Sequence, residues 1–308
     1  MQKRFFRSRV VLSLGGVAVA GLFLSTAAMG ATLKKIVAVS RFENKTSWKG
    51  QVSLDDGMAD QLTDALMQSG QFVVMERQTL GDVMAEQDLA NSGRAQKSQS
   101  AQTGKLVNAQ ILVKGTVTEF ENQSSGSENG VGFGGFSIGN KREEAHVGLI
   151  IRLIDTTTGE VLESQRVEGK AASGGMKFGM NVAGVGFGTS GFSKTPLGKA
   201  TQMAIDNAVN IIASKLKTIP FQARIVKVNG DDEVLISGGK KTGIAEGDVF
   251  TIYSVGESLV DPSTGEQLGS ELEKKGTVKV TKVEEKYAKA HSDSSLKGIK
   301  AGDIVKAE

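Results

Sequence analysis

The sequence predicts an α/β domain, built as a mixed sheet with flanking helices, plus a small all-β, barrel-like C-terminal domain. Strand-like and helix-like segments alternate as far as Pro220, whereas only short strand-like segments and turns follow it. The chain has 308 residues, which is enough for about two domains. Its composition is that of a globular protein except for glycine, with 39 Gly against 3 Pro.

The first 30 residues read as a targeting segment outside the fold. Four basic residues precede the apolar run Val10–Leu24, which ends among small residues such as Ala28 and Gly30. This order is typical of a secretory signal. We therefore predict a signal peptide over residues 1–30, cleaved near Gly30 or Ala31; an uncleaved anchor helix is the alternative.

Charge and cysteine content narrow the function. The formal charge is +3, but residues 1–30 carry four Lys/Arg and no acid, so the remaining chain is at −1 (+3 less 4). Nucleic acid is therefore not expected as a partner. The chain has no cysteine, which excludes disulfides, thiol catalysis and a lipid attached through cysteine.

The α/β domain is predicted over residues 31–219, in the order β-α-β-α-β-β-β-α. Apolar residues on both faces of the first strand indicate that it is buried on both sides. Helical spacing of apolar residues after Ser53 and over 79–90 and 197–216 indicates three amphipathic helices. The apolar positions of the second helix are Leu80, Val83, Met84 and Leu89. The predicted strands are 35–42, 72–75, 111–120, 145–154 and 161–167.

Residues 220–308 are predicted to form an all-β domain, either SH3-like or a sandwich. Its predicted strands are 223–228, 233–236, 248–253, 276–283, 287–291 and 303–306. One sequence echo stands out, because Gly243–Val249 resembles Gly298–Ile304 and each contains a Gly-Asp step before a β-branched residue. We interpret both copies as structural turns that lead into strands.

No catalytic, cofactor-binding or metal-binding residues are predicted. Two Gly-x-Gly-x-x-Gly stretches, starting at Gly130 and Gly186, do not directly join a strand to a helix as a dinucleotide site requires. His146 beside Glu143 and Glu144 is read as a solvated strand face, with a metal site as the weaker alternative. We therefore expect no enzyme activity and no cofactor.

Two Gly-rich stretches are predicted to be hairpins inserted into the sheet, near 121–144 and 172–195. Apolar residues alternate with small or polar ones over 173–182 and change phase after Gly184, which indicates two strands around a turn. The first stretch is more polar, and its phase slips at Gly134-Gly135. The candidate membrane-hairpin residues are Phe133, Phe136, Ile138, Met176, Phe178, Met180, Val182, Val185 and Phe187.

A series of short stretches, in order, resembles the curli production assembly/transport (CsgG-type) family. The stretches are Ile36–Val39 with Phe42–Thr46, Gly57–Leu62, Gly70–Arg77, Ile111–Phe120, Asp155–Leu162 and Thr195–Ala200. Each is weak alone, and their order and spacing carry the resemblance. The added residues 221–308 look similar to the C-terminal module of a flagellar T-ring component.

The resemblance implies a periplasmic domain that forms a homo-oligomeric ring and is associated with the outer membrane. In channel members of the family, two hairpins per subunit close into a large barrel and an inner loop narrows the channel. The polar loop after the first strand is then the candidate constriction, through Phe42, Asn44, Lys45 and Trp48. The partners implied are further copies of the chain and envelope or secreted proteins.

This chain departs from the family in lacking the lipidated cysteine and in adding the all-β domain. The expected location is thus exported and periplasmic, associated with the outer membrane, and not that of a lipoprotein. Two functions stay open. One is a ring that exports or assembles surface protein, with hairpins inserted in the outer membrane, and the other is a soluble periplasmic scaffold or adaptor without a pore.

Overall fold

The computed structural model describes residues 33–48, 53–96, 106–126, 132–133, 136–137, 141–173, 191–265 and 267–307. The predicted mixed α/β class is confirmed. The strands of the first part are β1 (Lys35–Val39), β2 (Glu43–Asn44), β3 (Phe72–Met75), β4 (Ile111–Gly126), β5 (Gly132–Phe133), β6 (Phe136–Ser137), β7 (Lys141–Asp155) and β8 (Val161–Ser173). Its helices are α1 (Leu54–Gln68), α2 (Leu80–Asn91) and α3 (Pro196–Thr218).

The main sheet has the order β3-β1-β4-β7-β8, and β2 adds to β4 beyond the end of β1. β1 is parallel to β3 and β4, whereas β4, β7 and β8 are antiparallel, so the sheet is mixed. Alternate residues of these strands pack with α1 and α3 into one apolar core. The opposite face of β7 and β8 carries exposed polar side chains, among them Arg152, Arg166 and Lys170.

Helix α3 is the main cover of the sheet. Thr195 caps its start by accepting a hydrogen bond from the Gly198 amide at 3.0 Å, and Pro196 occupies the first turn. Its predicted inward residues are all buried: Ala200, Ile205, Ala208, Val209, Ile212 and Leu216. Burying each large side chain of this kind stabilises the fold by about 1.5–3 kcal/mol.

A close approach of backbone to backbone fixes α3 on β8. A Cβ atom added at Gly169 would lie 1.9 Å from the Ala200 carbonyl oxygen and 2.6 Å from the Ala204 amide nitrogen. Any side chain at this position would therefore push the helix away from the strand.

Helix α2 forms where it is predicted, but most of its apolar positions do not face the core. Val83, Met84 and Leu89 are 37%, 51% and 43% exposed, and Gln87 is the one buried residue of the helix. Helical spacing identifies residues that share a face, but it does not supply a surface that covers the face.

Several strands are longer than predicted. The additional residues are mostly polar, and they continue the backbone pairing between β4, β7 and β8. The predicted strand 111–120 extends to Gly126, 145–154 starts at Lys141, and 161–167 extends to Ser173. Hydrogen bonding between neighbours holds these segments extended without an apolar alternation. Among the described residues, no helix has the length and apolar character that a bilayer crossing requires.

The C-terminal part forms a closed barrel with the strand order β10-β13-β12-β11-β14-β9. Its strands are β9 (Gln222–Asn229), β10 (Glu233–Ser237), β11 (Val249–Val260), β12 (Gln267–Val283), β13 (Tyr287–His291) and β14 (Ile304–Ala307). They pair in one cycle instead of two stacked sheets, around an apolar core that includes Val234, Phe250 and Val305. β11 and β12 extend beyond the cycle as a two-stranded hairpin.

The two copies of the sequence echo make the same turn. Asp248 Oδ2 accepts a hydrogen bond from the Ala245 amide at 2.8 Å, and Asp303 Oδ2 accepts one from the Lys300 amide at 2.9 Å. The preceding glycines, Gly247 and Gly302, have φ values of 94° and 98°, where a side chain is strained. The contacts are those of the structural turns that the sequence predicts.

Hydrogen bonds join the barrel to the first part at two places far apart in the chain. Before β1, the Lys34 amide donates to the Thr242 carbonyl at 2.8 Å. Between β3 and β4, Gln110 Nε2 donates to the Gln222 carbonyl at 3.2 Å.

The close approach at Gly169 gives a prediction on stability. Gly169→Ala should lower the free energy of unfolding by about 1–3 kcal/mol, because its Cβ overlaps α3 backbone. The matched control is Gly81→Ala in α2, where an added Cβ meets nothing within 4 Å and a small gain is expected. Urea denaturation followed by circular dichroism measures both, and equal midpoints would contradict the prediction.

Candidate functional site

The first Gly-rich insertion lies in the chain between β4 and β7, which are antiparallel neighbours in the sheet. The ladder between these strands runs from Ile111 opposite Asp155 to Gly126 opposite Lys141. Beyond it, β5 and β6 pair with Phe133 directly opposite Phe136. Two of the candidate membrane-hairpin residues are therefore cross-strand neighbours, while Ile138 lies outside the described residues.

The second insertion begins where β8 ends, at Ser173, and the described chain resumes at Gly191 with a short 3-10 turn that leads into α3. The remaining candidate hairpin residues lie outside the described residues: Met176, Phe178, Met180, Val182, Val185 and Phe187. Glu143 of β7 pairs with Ser124 on one side and Ser173 on the other. Both insertions therefore leave the sheet at the same end of its strands, from adjacent strands.

The candidate constriction loop lies along β4. Lys45 donates its amide to the Val117 carbonyl at 2.9 Å, and Asn44 is the last residue of β2. Asn44 Oδ1 accepts hydrogen bonds from the Thr46 amide at 2.8 Å and hydroxyl at 2.7 Å. These contacts make the polar sequence a fixed turn.

The two aromatic residues at the ends of this loop have different environments. Phe42 is buried, and its ring occupies the space above Gly115, where a Cβ would lie 2.1 Å from it. Trp48 is 39% exposed and packs edge-to-face on Phe120, with ring centroids 4.9 Å apart. Of the four candidate residues, Phe42 thus belongs to the core, and a constriction role for Asn44, Lys45 and Trp48 stays a prediction.

Charges on the loop are paired with each other. Lys45 Nζ lies 2.5 Å from Glu43 Oε1, and both side chains are largely exposed. The hydrogen bond from Lys45 lowers the pKa of the Glu43 carboxyl below its usual value. The two opposite charges of this ion pair offset each other on the loop.

His146 has acidic neighbours that the sequence analysis missed. Its ring nitrogens face Glu119 of β4 and Glu168 of β8, each at 3.3 Å. Arg166 forms ion pairs with both carboxylates. The sequence pointed to Glu143 and Glu144 because they are close to His146 in the chain. Glu119 and Glu168 are brought to His146 only by the register of β7 against β4 and β8.

Two family models match the chain. The model of the curli production assembly/transport component CsgG matches residues 19–232, and that of the flagellar assembly protein T C-terminal domain matches residues 231–307. A Neisseria meningitidis serogroup B protein, provisionally named a lipoprotein, is 28% identical over 193 residues. The match covers 60% of this chain and 78% of that protein.

Solved structures with a similar arrangement include the hypothetical protein CT253 from Chlamydia trachomatis, at 13% identity and a TM-score of 0.38. It is matched over 60% of this chain and 99% of its own. The PelC dodecamer from Paraburkholderia phytofirmans matches at 16% identity and a TM-score of 0.28, over 57% of this chain and 86% of its own. Lipoprotein GNA1162 from Neisseria meningitidis has 15% identity and a TM-score of 0.27, over 58% and 99%.

The predicted location needs correction. From its sequence, the chain is expected to be an exported periplasmic protein, associated with the outer membrane and not a lipoprotein. The Neisseria meningitidis relative contradicts this, because its name points to a lipoprotein-type location in the cell envelope. The lipoprotein location was excluded because this chain has no cysteine. The composition of a single chain does not determine how the members of its family attach to the envelope.

The packing of Trp48 gives a prediction that fluorescence can test, because the chain has one Trp. Phe120→Leu should remove the ring contact, shift Trp48 emission to longer wavelength and increase its quenching by acrylamide. The loss in stability should be about 1 kcal/mol. Phe250→Leu in the barrel core is the control and should leave the emission unchanged; an unshifted spectrum in Phe120→Leu would refute the contact.

Proposed function

Because the chain belongs to the curli production assembly/transport component CsgG family and is a cell-envelope protein of that family, we propose that it forms an oligomeric ring. The ring exports or assembles an extracellular or surface protein. The observation that carries this proposal is the common exit of the two insertions from the sheet, at the same end of its strands.

The common exit matters for a ring. The insertions of all subunits can join into one continuous sheet only if both insertions leave each subunit at the same end of its strands. β4, β7 and β8 are consecutive in the sheet, so the two insertions of one subunit are already neighbours. In a ring, this end of the sheet would point in the same direction in every subunit. The insertions would then form a continuous circle of hairpins, in which Phe133, Phe136 and the alternating residues of 173–182 supply the apolar positions.

The exposed apolar residues of α2 support the oligomer. Val83, Met84 and Leu89 leave an apolar helix face uncovered in a single chain. Leu106 and Val107 are also exposed, at 43% and 51%. A second copy of the chain is the proposed cover, since apolar faces of this kind mark protein interfaces.

The second candidate is a scaffold or adaptor without a membrane pore. Two observations favour it. The first insertion is poor in apolar residues, since Asn122–Asn129 contains none, which gives a thin lipid-facing surface. The second is that residues 231–307 match a domain of a flagellar assembly protein.

Both candidates share the proposed organisation of the chain. Residues 1–30 are a signal peptide, 31–219 the α/β domain with its insertions, and 220–308 the all-β domain. The proposed partners are further copies of the chain and an envelope or secreted protein, and nucleic acid is not among them.

The oligomer proposal predicts a change in native mass. Met84→Asp should convert the assembly to monomers, because a charge would have to be buried in the contact. Met203→Asp is the matched control, since Met203 is 47% exposed on α3, and its mass should stay that of the oligomer. Native mass spectrometry distinguishes them, and a monomeric wild type would refute the ring.

The hairpin proposal predicts binding to lipid. The purified oligomer should float with liposomes, and the double variant Met176→Asp, Phe178→Asp should not, because two charges per subunit would face lipid at a cost of a few kcal/mol. The matched control is Leu259→Asp, Val260→Asp on the exposed hairpin of the barrel, which should still float. If the wild type stays at the bottom of the gradient, the pore is rejected and the adaptor stands.

A further inference from the structure

A His-Glu-Glu cluster lies on the exposed polar face of the sheet, independently of the proposed ring. Glu119, Gly148 and Glu168 form one row across β4, β7 and β8. His146 lies two residues along β7, on the same face as Gly148. Within the described chain, these three side chains are the one such group whose donor atoms lie within 4.8 Å of one another.

The backbone is shaped to bring Glu119 into this cluster. The register of β4 against β7 shifts between Val117 and Glu119, so Thr118 is an extra residue in the strand. Without this bulge, Glu119 would share the buried face of Val117. The bulge instead turns Glu119 to the polar face and Phe120 into the core.

Gly148 leaves the space that the cluster occupies. A Cβ atom at this position would lie 2.9 Å from Glu119 Oε2 and 3.0 Å from Thr118 Oγ1. A larger residue in the middle of the row would displace the carboxylate. A cleft of about 370 Å³ beside the cluster, lined in part by Glu121, His146 and Lys170, connects it to solvent.

The cluster contains unsatisfied polar atoms. Among the described residues, the buried side-chain atoms without a hydrogen-bond partner are Thr118 Oγ1, Glu119 Oε2 and His146 Nε2. All three lie here. His146 Nε2 lies 3.3 Å from Glu168 Oε2 and is still without a hydrogen-bond partner. Buried polar atoms without a partner in the protein call for an explanation, and a bound ion is one.

We propose that Glu119, His146 and Glu168 form a binding site for a divalent transition-metal ion of the zinc type. Two ligands of a tetrahedral Zn²⁺ with bonds of about 2.0–2.1 Å are about 3.3–3.4 Å apart. Glu119 faces Nδ1 of His146 and Glu168 faces Nε2, so whichever nitrogen binds the ion has one carboxylate at this spacing. The donor atoms of the three residues lie within 4.8 Å of one another, and the second carboxylate would reach the same ion by a side-chain rotation. Imidazole nitrogen with carboxylate oxygen suits such ions, and a fourth position stays open to water from the cleft.

Arg166 positions the two carboxylates. Its guanidinium contacts Oε1 of Glu119 and lies 3.0 Å from Oε1 of Glu168, which leaves both Oε2 atoms facing His146. The hydrogen bond from Lys170 is the main reason why the pKa of the Glu168 carboxyl is lowered. Lys170 Nζ, at 3.1 Å from Glu168 Oε2, also competes with a metal ion, but its side chain is exposed and can move away.

The chain is well suited to a direct test, because it contains two His and no Cys. The full-length protein without an affinity tag is titrated with Zn²⁺ by isothermal calorimetry, and bound metal is counted after dialysis. We expect one Zn²⁺ per chain. His146→Gln and, separately, Glu168→Gln should weaken binding tenfold or more, as expected on loss of a metal ligand or its support, and Lys170→Gln should strengthen it.

The control is His291→Gln in the barrel, where the other His faces Asp232 at 3.5 Å, and it should bind as the wild type does. Thermal unfolding with and without Zn²⁺ is a second readout, and only proteins with an intact site should be stabilised. Failure of the wild type to bind Zn²⁺ would overturn the proposal and leave an ionic network around His146. Equal loss in His291→Gln and His146→Gln would overturn it as well.

Discussion

The contact of α3 with β8 is the interaction on which the first part of the structure depends. Gly169 lets the helix backbone approach the strand backbone, and the buried face of α3 then covers β7 and β8. The same helix starts at Pro196, just after the second insertion, and β8 ends at Ser173, just before it. A single packing contact thus fixes both ends of the second insertion relative to the sheet.

The two faces of the sheet have different roles because only one of them is packed with α1 and α3. The packed face is apolar and gives stability. The other face on β4, β7 and β8 is free to carry charged residues, and ion pairs between exposed side chains contribute little to stability. The cluster around His146 lies on this face, and the proposed metal ion would account for its cross-strand arrangement and for its buried atoms without a hydrogen-bond partner.

The sequence was most informative where local chemistry determines the structure. The helical spacing of Ala200 to Leu216 identified the buried face of α3, and the Gly-Asp steps identified both turns of the barrel. It failed where the outcome depends on distant segments. Spacing alone did not show that Met84 would be exposed, and the partners of His146 follow from one bulge at Thr118, which has no clear mark in the sequence. The candidate hairpin residues of 174–190 and the signal segment stay predictions, because they lie outside the described residues.

The attachment of the barrel at two distant points of the chain has a mechanical consequence. One point precedes β1 at Lys34, and another joins Gln110 to Gln222. A domain held by a single linker can rotate about it, whereas a domain also held by contacts elsewhere loses that freedom. These hydrogen bonds, together with the covalent connection after α3, therefore tie the orientation of the barrel to that of the sheet.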